Sequence, residues 1–111
     1  MGRILVLTRN SDFHRLYSKG KATTHPILVT YVHQNREGYV RFGITTSGKI
    51  GNAVERNRCR RIIREAFSQL SSDIKEGIDL VFVARTKTKK VGTAEILYVM
   101  QTQLKAAGVM K

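Results

Sequence analysis

The chain has no tryptophan, one cysteine, one proline and only eight acidic residues among 111. A lone thiol, Cys59, excludes an internal disulfide and fits a reducing compartment. A nuclease site that holds Mg²⁺ needs clustered carboxylates, and acid–base chemistry needs a paired histidine. The acids here are scattered from Asp12 to Glu95, with no close grouping outside the 73–79 loop, where the spacing suits helix-end and turn chemistry. His14, His25 and His33 are isolated, without metal-ligand spacing. No phosphate-binding Walker loop or dinucleotide fingerprint occurs. No apolar run approaches the roughly 20 residues of a membrane span, and Ile4 to Leu7 is too short for a signal-peptide core. These absences predict a cytoplasmic chain with no catalytic residue, metal or cofactor of its own.

What is abundant is positive charge. Twenty Lys and Arg against eight acids give a net +12 and a pI near 10.5. That balance predicts a polyanionic partner, most simply nucleic acid, with a membrane surface as the rival. The charge is densest at residues 56–64, where five arginines stand without an acid. Cys59, Ile62, Ile63, Ala66, Phe67 and Leu70 keep the i, i+3, i+4, i+7 spacing of a buried helix face, over an arc of roughly 140°. Arg56, Asn57, Arg60, Arg61 and Arg64 fall on the adjoining arc, with Arg58 on its far side. The predicted helix starts near Ala53 and ends near Leu70, burying Cys59 as an inert thiol and presenting a ridge of guanidinium groups.

The remaining elements follow in order. Asn10 or Ser11 can cap a first helix, with Asp12 in its first turn and Gly20 just past its end. Phe13, Leu16 and Tyr17 share one face of it. Lys21 to His25 reads as an edge strand closed by Pro26. Ile27 to Gln34 and Tyr39 to Thr46 read as a hairpin about the turn 35–38. Alternation puts Leu28, Thr30 and Val32, then Val40, Phe42, Ile44 and Thr46, on the core face. The other face carries Tyr31, Tyr39, Arg41, Gly43 and Thr45; it is either solvated or a platform for stacked bases. Residues 47–52 form a loop whose two glycines and Lys49 lead into the arginine helix, where backbone N–H groups can meet phosphate. Residues 78–84 (IDLVFVA) read as a strand buried on both faces, 85–90 (RTKTKK) as a basic loop, and 91–107 as a closing helix. The expected order is α-β-β-β-α-β-α: a single-domain α+β two-layer sandwich with a four-stranded mixed sheet.

The run Ile50-Gly51-Asn52-Ala53-Val54, followed by Arg56-Asn57-Arg58, Arg60-Arg61 and Arg64-Glu65-Ala66-Phe67, resembles the signature of the bacterial ribonuclease P protein subunit. The similarity in order and spacing covers nearly the whole chain. It implies a ribosomal protein S5 domain 2-like fold with a left-handed βαβ crossover, where the general rule would make the crossover right-handed. It implies a protein that joins a catalytic RNA, in a 1:1 complex, to remove the 5′ leader from precursor tRNA. The RNA carries the active site and requires Mg²⁺; the protein, a monomer on its own, raises affinity for substrate and Mg²⁺. By position, Asn52, Arg56, Asn57, Arg58, Arg60, Arg61 and Arg64 would face the catalytic RNA. Phe13, Tyr17, Tyr31 and Lys49 would line a cleft for the leader. Two positions depart from the family pattern: Tyr17 stands where Phe is common, and Gly48 where a Lys or Arg supplies a phosphate contact. A non-catalytic RNA scaffold protein, such as a ribosomal protein, shares the charge and size but lacks the Arg-Asn-Arg signature. A protein-only nuclease is opposed by the scattered acids, and a membrane-surface binder by the lack of Trp and the single aromatic, Phe67, on the apolar face of the basic helix.

Overall fold

A computed structural model describes residues 4–111. Its elements are β1 (Ile4–Val6), α1 (Asn10–Lys19), β2 (Lys21–His25), β3 (Leu28–Gln34), β4 (Val40–Thr45), α2 (Ala53–Leu70), β5 (Ile78–Ala84) and α3 (Thr93–Ala106), with short 3₁₀ turns at Gly48–Ile50, Ser71–Asp73 and Thr86–Lys90.

The strands lie in the order β1-β4-β5-β3-β2. Two expectations are corrected by that order. The sheet has five strands rather than four, because Ile4–Val6 pairs in parallel with β4, Ile4 opposite Val40. Three exposed residues at an edge carry no alternation that a sequence pattern could register. Second, β3 and β4 do not form a hairpin. β5 runs between them, antiparallel to β3 and parallel to β4. β5 is the most apolar strand, and the centre of the sheet is where both its faces are covered. The connection at residues 35–39 therefore spans two strand spacings, about 9.6 Å. Asn35 bridges the gap, its Nδ2 donating to the Tyr39 carbonyl at 3.1 Å and to Asp79 Oδ1 at 2.7 Å. The true hairpin is β2–β3, closed by Pro26 and Ile27, with His25 opposite Leu28.

The predicted faces hold. Leu28 and Val32, Val40, Phe42 and Ile44, and Leu80 and Phe82 point to one side, where they meet Ile63, Phe67, Ile96, Met100 and Leu104 from α2 and α3. Phe67 lies at the centre, its ring 4.7 Å from Phe42 and 5.2 Å from Phe82. Gln103 anchors α3 to the sheet edge: its Nε2 donates to the carbonyls of Thr23 and Leu28, and its Oε1 accepts from Thr30. A buried amide with every group paired costs little and fixes the register of helix against strand.

α1 lies across the opposite face on a smaller cluster of Leu7, Leu16 and Val81. Its ends differ from expectation. Arg9 occupies the cap position with no side-chain hydrogen bond, and Gly20 is extended (φ −75°) rather than left-handed. Gly20 is instead required by crowding, since a Cβ there would sit 2.5 Å from the Leu16 carbonyl oxygen.

Candidate RNA interface

α2 begins with a reciprocal cap. Asn52 Oδ1 accepts from the Glu55 N–H at 2.9 Å, and Glu55 Oε1 accepts from the Asn52 N–H at 3.1 Å. That hydrogen bond, with Lys89 at 3.5 Å, holds the Glu55 carboxyl below its ordinary range. The buried stripe of α2 is the one its spacing predicts: Cys59, Ile62, Ile63, Ala66, Phe67 and Leu70. Burial raises the Cys59 thiol's pKa above its ordinary value, keeping it protonated and inert.

The arginines divide into two groups. Arg61 and Arg64 are exposed, as is Asn57. Arg56, Arg58 and Arg60 are half-buried and turned back onto the protein. Arg56 donates to the Gly51 carbonyl at 2.6 Å. Arg58, on the far side as expected, donates to the carbonyls of Lys89 and Val91 at 3.2 and 2.9 Å. Arg60 donates to the Ile44 carbonyl and to Thr46 Oγ1 at 3.2 and 2.7 Å. These bonds leave part of each guanidinium fork unspent, since each carries five N–H donors.

The bonds to Ile44 and Thr46 bring Arg60 to the wall of a cleft of about 360 Å³ between α1 and β4, lined also by Phe13, His14, Tyr17, Thr45 and Thr46. Periodicity placed Arg60 on the ridge; only the fold shows that its head reaches the cleft. Phe13 is half-buried, seated directly over Gly43, where a Cβ would come within 2.6 Å of the ring. Tyr17, 39 % exposed, packs 6.5 Å from Phe13 and edge-on to Tyr31 at 5.1 Å. Its hydroxyl is bonded to Thr45 Oγ1 at 2.7 Å. Phe13, Tyr17 and Tyr31 therefore form one aromatic row. Lys49 is exposed on the 3₁₀ turn before α2 and does not line this cleft.

Beneath α1 lies a group that pattern reading did not single out. Asp79 is fully buried in β5. Arg41 grips it with two bonds of 2.8 and 2.7 Å, Asn35 donates at 2.7 Å, and Arg15 of α1 donates at 3.1 Å. Burial pushes the Asp79 carboxyl up, but the Arg41 guanidinium, with the Asn35 amide and Arg15, outweighs it and holds the group below the ordinary range. The available sequence signal is a single acid inside an otherwise apolar strand, which must be paired if buried. Among the described residues no three His, Cys, Asp or Glu side chains gather to hold a metal ion. No helix among them is long and apolar enough to cross a membrane.

The ribonuclease P family model matches residues 1–108. The ribonuclease P protein component of Clostridium kluyveri is 37% identical over 108 residues, covering 95% of this chain and 96% of that protein. That of Clostridium novyi is 41% identical over 105 residues, covering 93% of each. Among solved structures, the Staphylococcus aureus RNase P protein superposes with a TM-score of 0.85 at 36% identity, covering 96% of this chain and 97% of that one. The Thermotoga maritima RNase P protein gives 0.80 at 28% identity, covering 90% and 94%. With the arginine helix, the capped entry and the sheet in place, the chain belongs to the ribonuclease P protein component family, the protein part of an endoribonuclease holoenzyme that processes tRNA.

Proposed function

We propose that this chain acts as a single RNA-binding domain, monomeric until it joins one ribonuclease P RNA in the cytoplasm, and that it holds the 5′ leader of precursor tRNA. The observation that carries the reading is the juxtaposition of two unlike surfaces on either side of Arg60. On one side Phe13 and Tyr17 line an open cleft, with Tyr31 packed edge-on to Tyr17 outside its lining; on the other are the exposed Asn57, Arg61 and Arg64 of α2. Aromatic faces stack on unpaired bases without demanding a sequence, as a leader of varied sequence requires. Guanidinium groups pair bidentately with backbone phosphates. Arg56, Arg58 and Arg60 join the RNA contact through the donors their internal bonds leave unspent, and Asn52 through its amide NH₂. Lys49, exposed on the turn that enters α2, meets a leader phosphate beyond the cleft.

The chemistry remains with the RNA. The protein's part is to bring cations between RNA and leader, which lowers phosphate repulsion and raises the affinity for substrate and Mg²⁺ together. The test is cleavage of a precursor tRNA at low Mg²⁺ by purified ribonuclease P RNA, with and without this chain. Stimulation by the chain, and no cleavage by the chain alone, is expected. No stimulation, with tight binding to ribosomal RNA, would make it a scaffold protein instead.

A further inference from the structure

The basic turn at Thr86–Lys90 and the surface beside Tyr98 have no part in the cleft or in the exposed ridge of α2. Tyr98 is 73 % exposed. It stands over a groove between α3 and β2, formed by two adjoining hollows of about 360 and 470 Å³. The groove floor is mostly carbon, from Ile27, Val91, Val99 and the edges of Thr23 and Thr102. β2 ends the sheet, so its outer edge carries no further strand among the described residues.

The charges around the groove are mostly positive. Arg85 is exposed and donates to the His25 carbonyl at 3.4 Å, which places it at one end. At the other end Lys21 opens β2, roughly 13 Å from His25 along the strand. Lys105 shares the helical stripe of Tyr98 and Thr102. Glu95, the one acid lining the groove, is engaged in accepting from the Gly92 N–H at 2.9 Å. The groove is also continuous with α2. Arg58 binds the carbonyls of Lys89 and Val91, and Val91 lines the groove, so the 86–90 turn, which carries the exposed Lys87 and Lys90, bridges the two surfaces. Thr88 locks that bridge, donating to the Ile27 carbonyl at 2.6 Å and accepting from the Arg85 N–H at 2.8 Å.

We propose that the 86–90 turn and the β2–α3 groove form a second RNA contact. It takes an unpaired segment of the RNA that α2 faces, with Tyr98 as the stacking surface. The inference rests on α2 being an RNA face. An unpaired segment fits because a lone exposed ring needs a base freed from its helix, and cations at both ends of the groove meet phosphates on either side. A second copy of the chain is disfavoured by +12 on each partner.

Cys59 is buried, so an introduced cysteine is selectively labelled. Thr102→Cys in the groove and, separately, Asn57→Cys on α2 would carry a benzophenone in complexes with ribonuclease P RNA and precursor tRNA. RNA cross-links from both positions are expected. Tyr98→Ala is expected to weaken binding of ribonuclease P RNA about five- to tenfold at unchanged thermal midpoint. Cross-links from position 57 alone would overturn the second contact and leave the α2 reading standing. RNA cross-links from neither position would overturn both. A protein–protein cross-link from position 102 would make the groove an interface between copies and overturn the proposal.

Discussion

Asp79 and Gly43 both support the face that carries α1 and the aromatic row, and both are buried. Asp79 joins α1, β4 and the 35–39 turn through Arg15, Arg41 and Asn35. Replacing it with Asn takes the buried anion from two guanidinium groups, which keep only Asp12, 2.9 Å from Arg15 and 4.0 Å from Arg41. A cost of about 3 kcal/mol is expected, at the low end for a broken buried pair because Arg15 stays partly hydrated. The pH dependence follows from the depressed carboxyl. Folding binds fewer protons than the unfolded chain does, so the stabilisation is present above the unfolded carboxylate value, near 3.9. It is lost as pH falls through the lower folded value. Thermal midpoints of the wild type should therefore drop more steeply below about pH 4 than those of Asp79→Asn. Parallel curves would mean that Asp79 contributes nothing to acid lability. Gly43 acts by absence. Gly43→Ala drives a methyl into the Phe13 ring, so α1 or the ring must shift. Weaker binding of long-leader precursors, with leaderless tRNA unaffected, is the expected result in a paired affinity measurement.

At the scale of elements, α2 separates arginines that only face outward from those that also hold the fold. Arg58→Ala removes two bonds, to the Lys89 carbonyl in the 86–90 turn and the Val91 carbonyl just after it, a loss of about 1–2 kcal/mol that a thermal melt would show as several degrees. Arg61→Ala and Arg64→Ala should leave the melt unchanged while weakening assembly with ribonuclease P RNA. A destabilised Arg61→Ala protein would contradict that division. The sequence pattern made α2 legible almost to the residue, because a six-residue apolar stripe and a Gly-Asn entry act locally. It also made the faces of β3 and β4 legible, since alternation is local too. Strand neighbours were not legible. Which strand lies between β3 and β4 is decided by the burial of β5, a long-range matter that two runs flanking a turn cannot express. The aromatic row was readable as types and spacing. Arg60's place in the cleft wall was not, because it depends on Thr46 and the Ile44 carbonyl coming under α2.

The molecule as a whole carries +12 on 111 residues, and the two surfaces should answer differently to salt. A phosphate contact releases counterions, so each contributes about 0.7–0.9 to the slope of log affinity against log salt. With about six such contacts, affinity for ribonuclease P RNA should fall on the order of 10³-fold between 50 and 200 mM salt. Stacking releases no counterions. Arg61→Ala and Arg64→Ala should each flatten that slope by about one unit. Phe13→Ala should lower affinity for leader-bearing substrate by about five- to tenfold at every salt concentration, with the slope intact. A salt titration of the three variants separates the surfaces without a structure of the complex. If Phe13→Ala flattened the slope as the arginine variants do, the aromatic row would be holding α1 in place for a phosphate contact rather than receiving a base. The leader cleft would then be an electrostatic site, with Arg60 rather than Phe13 at its centre.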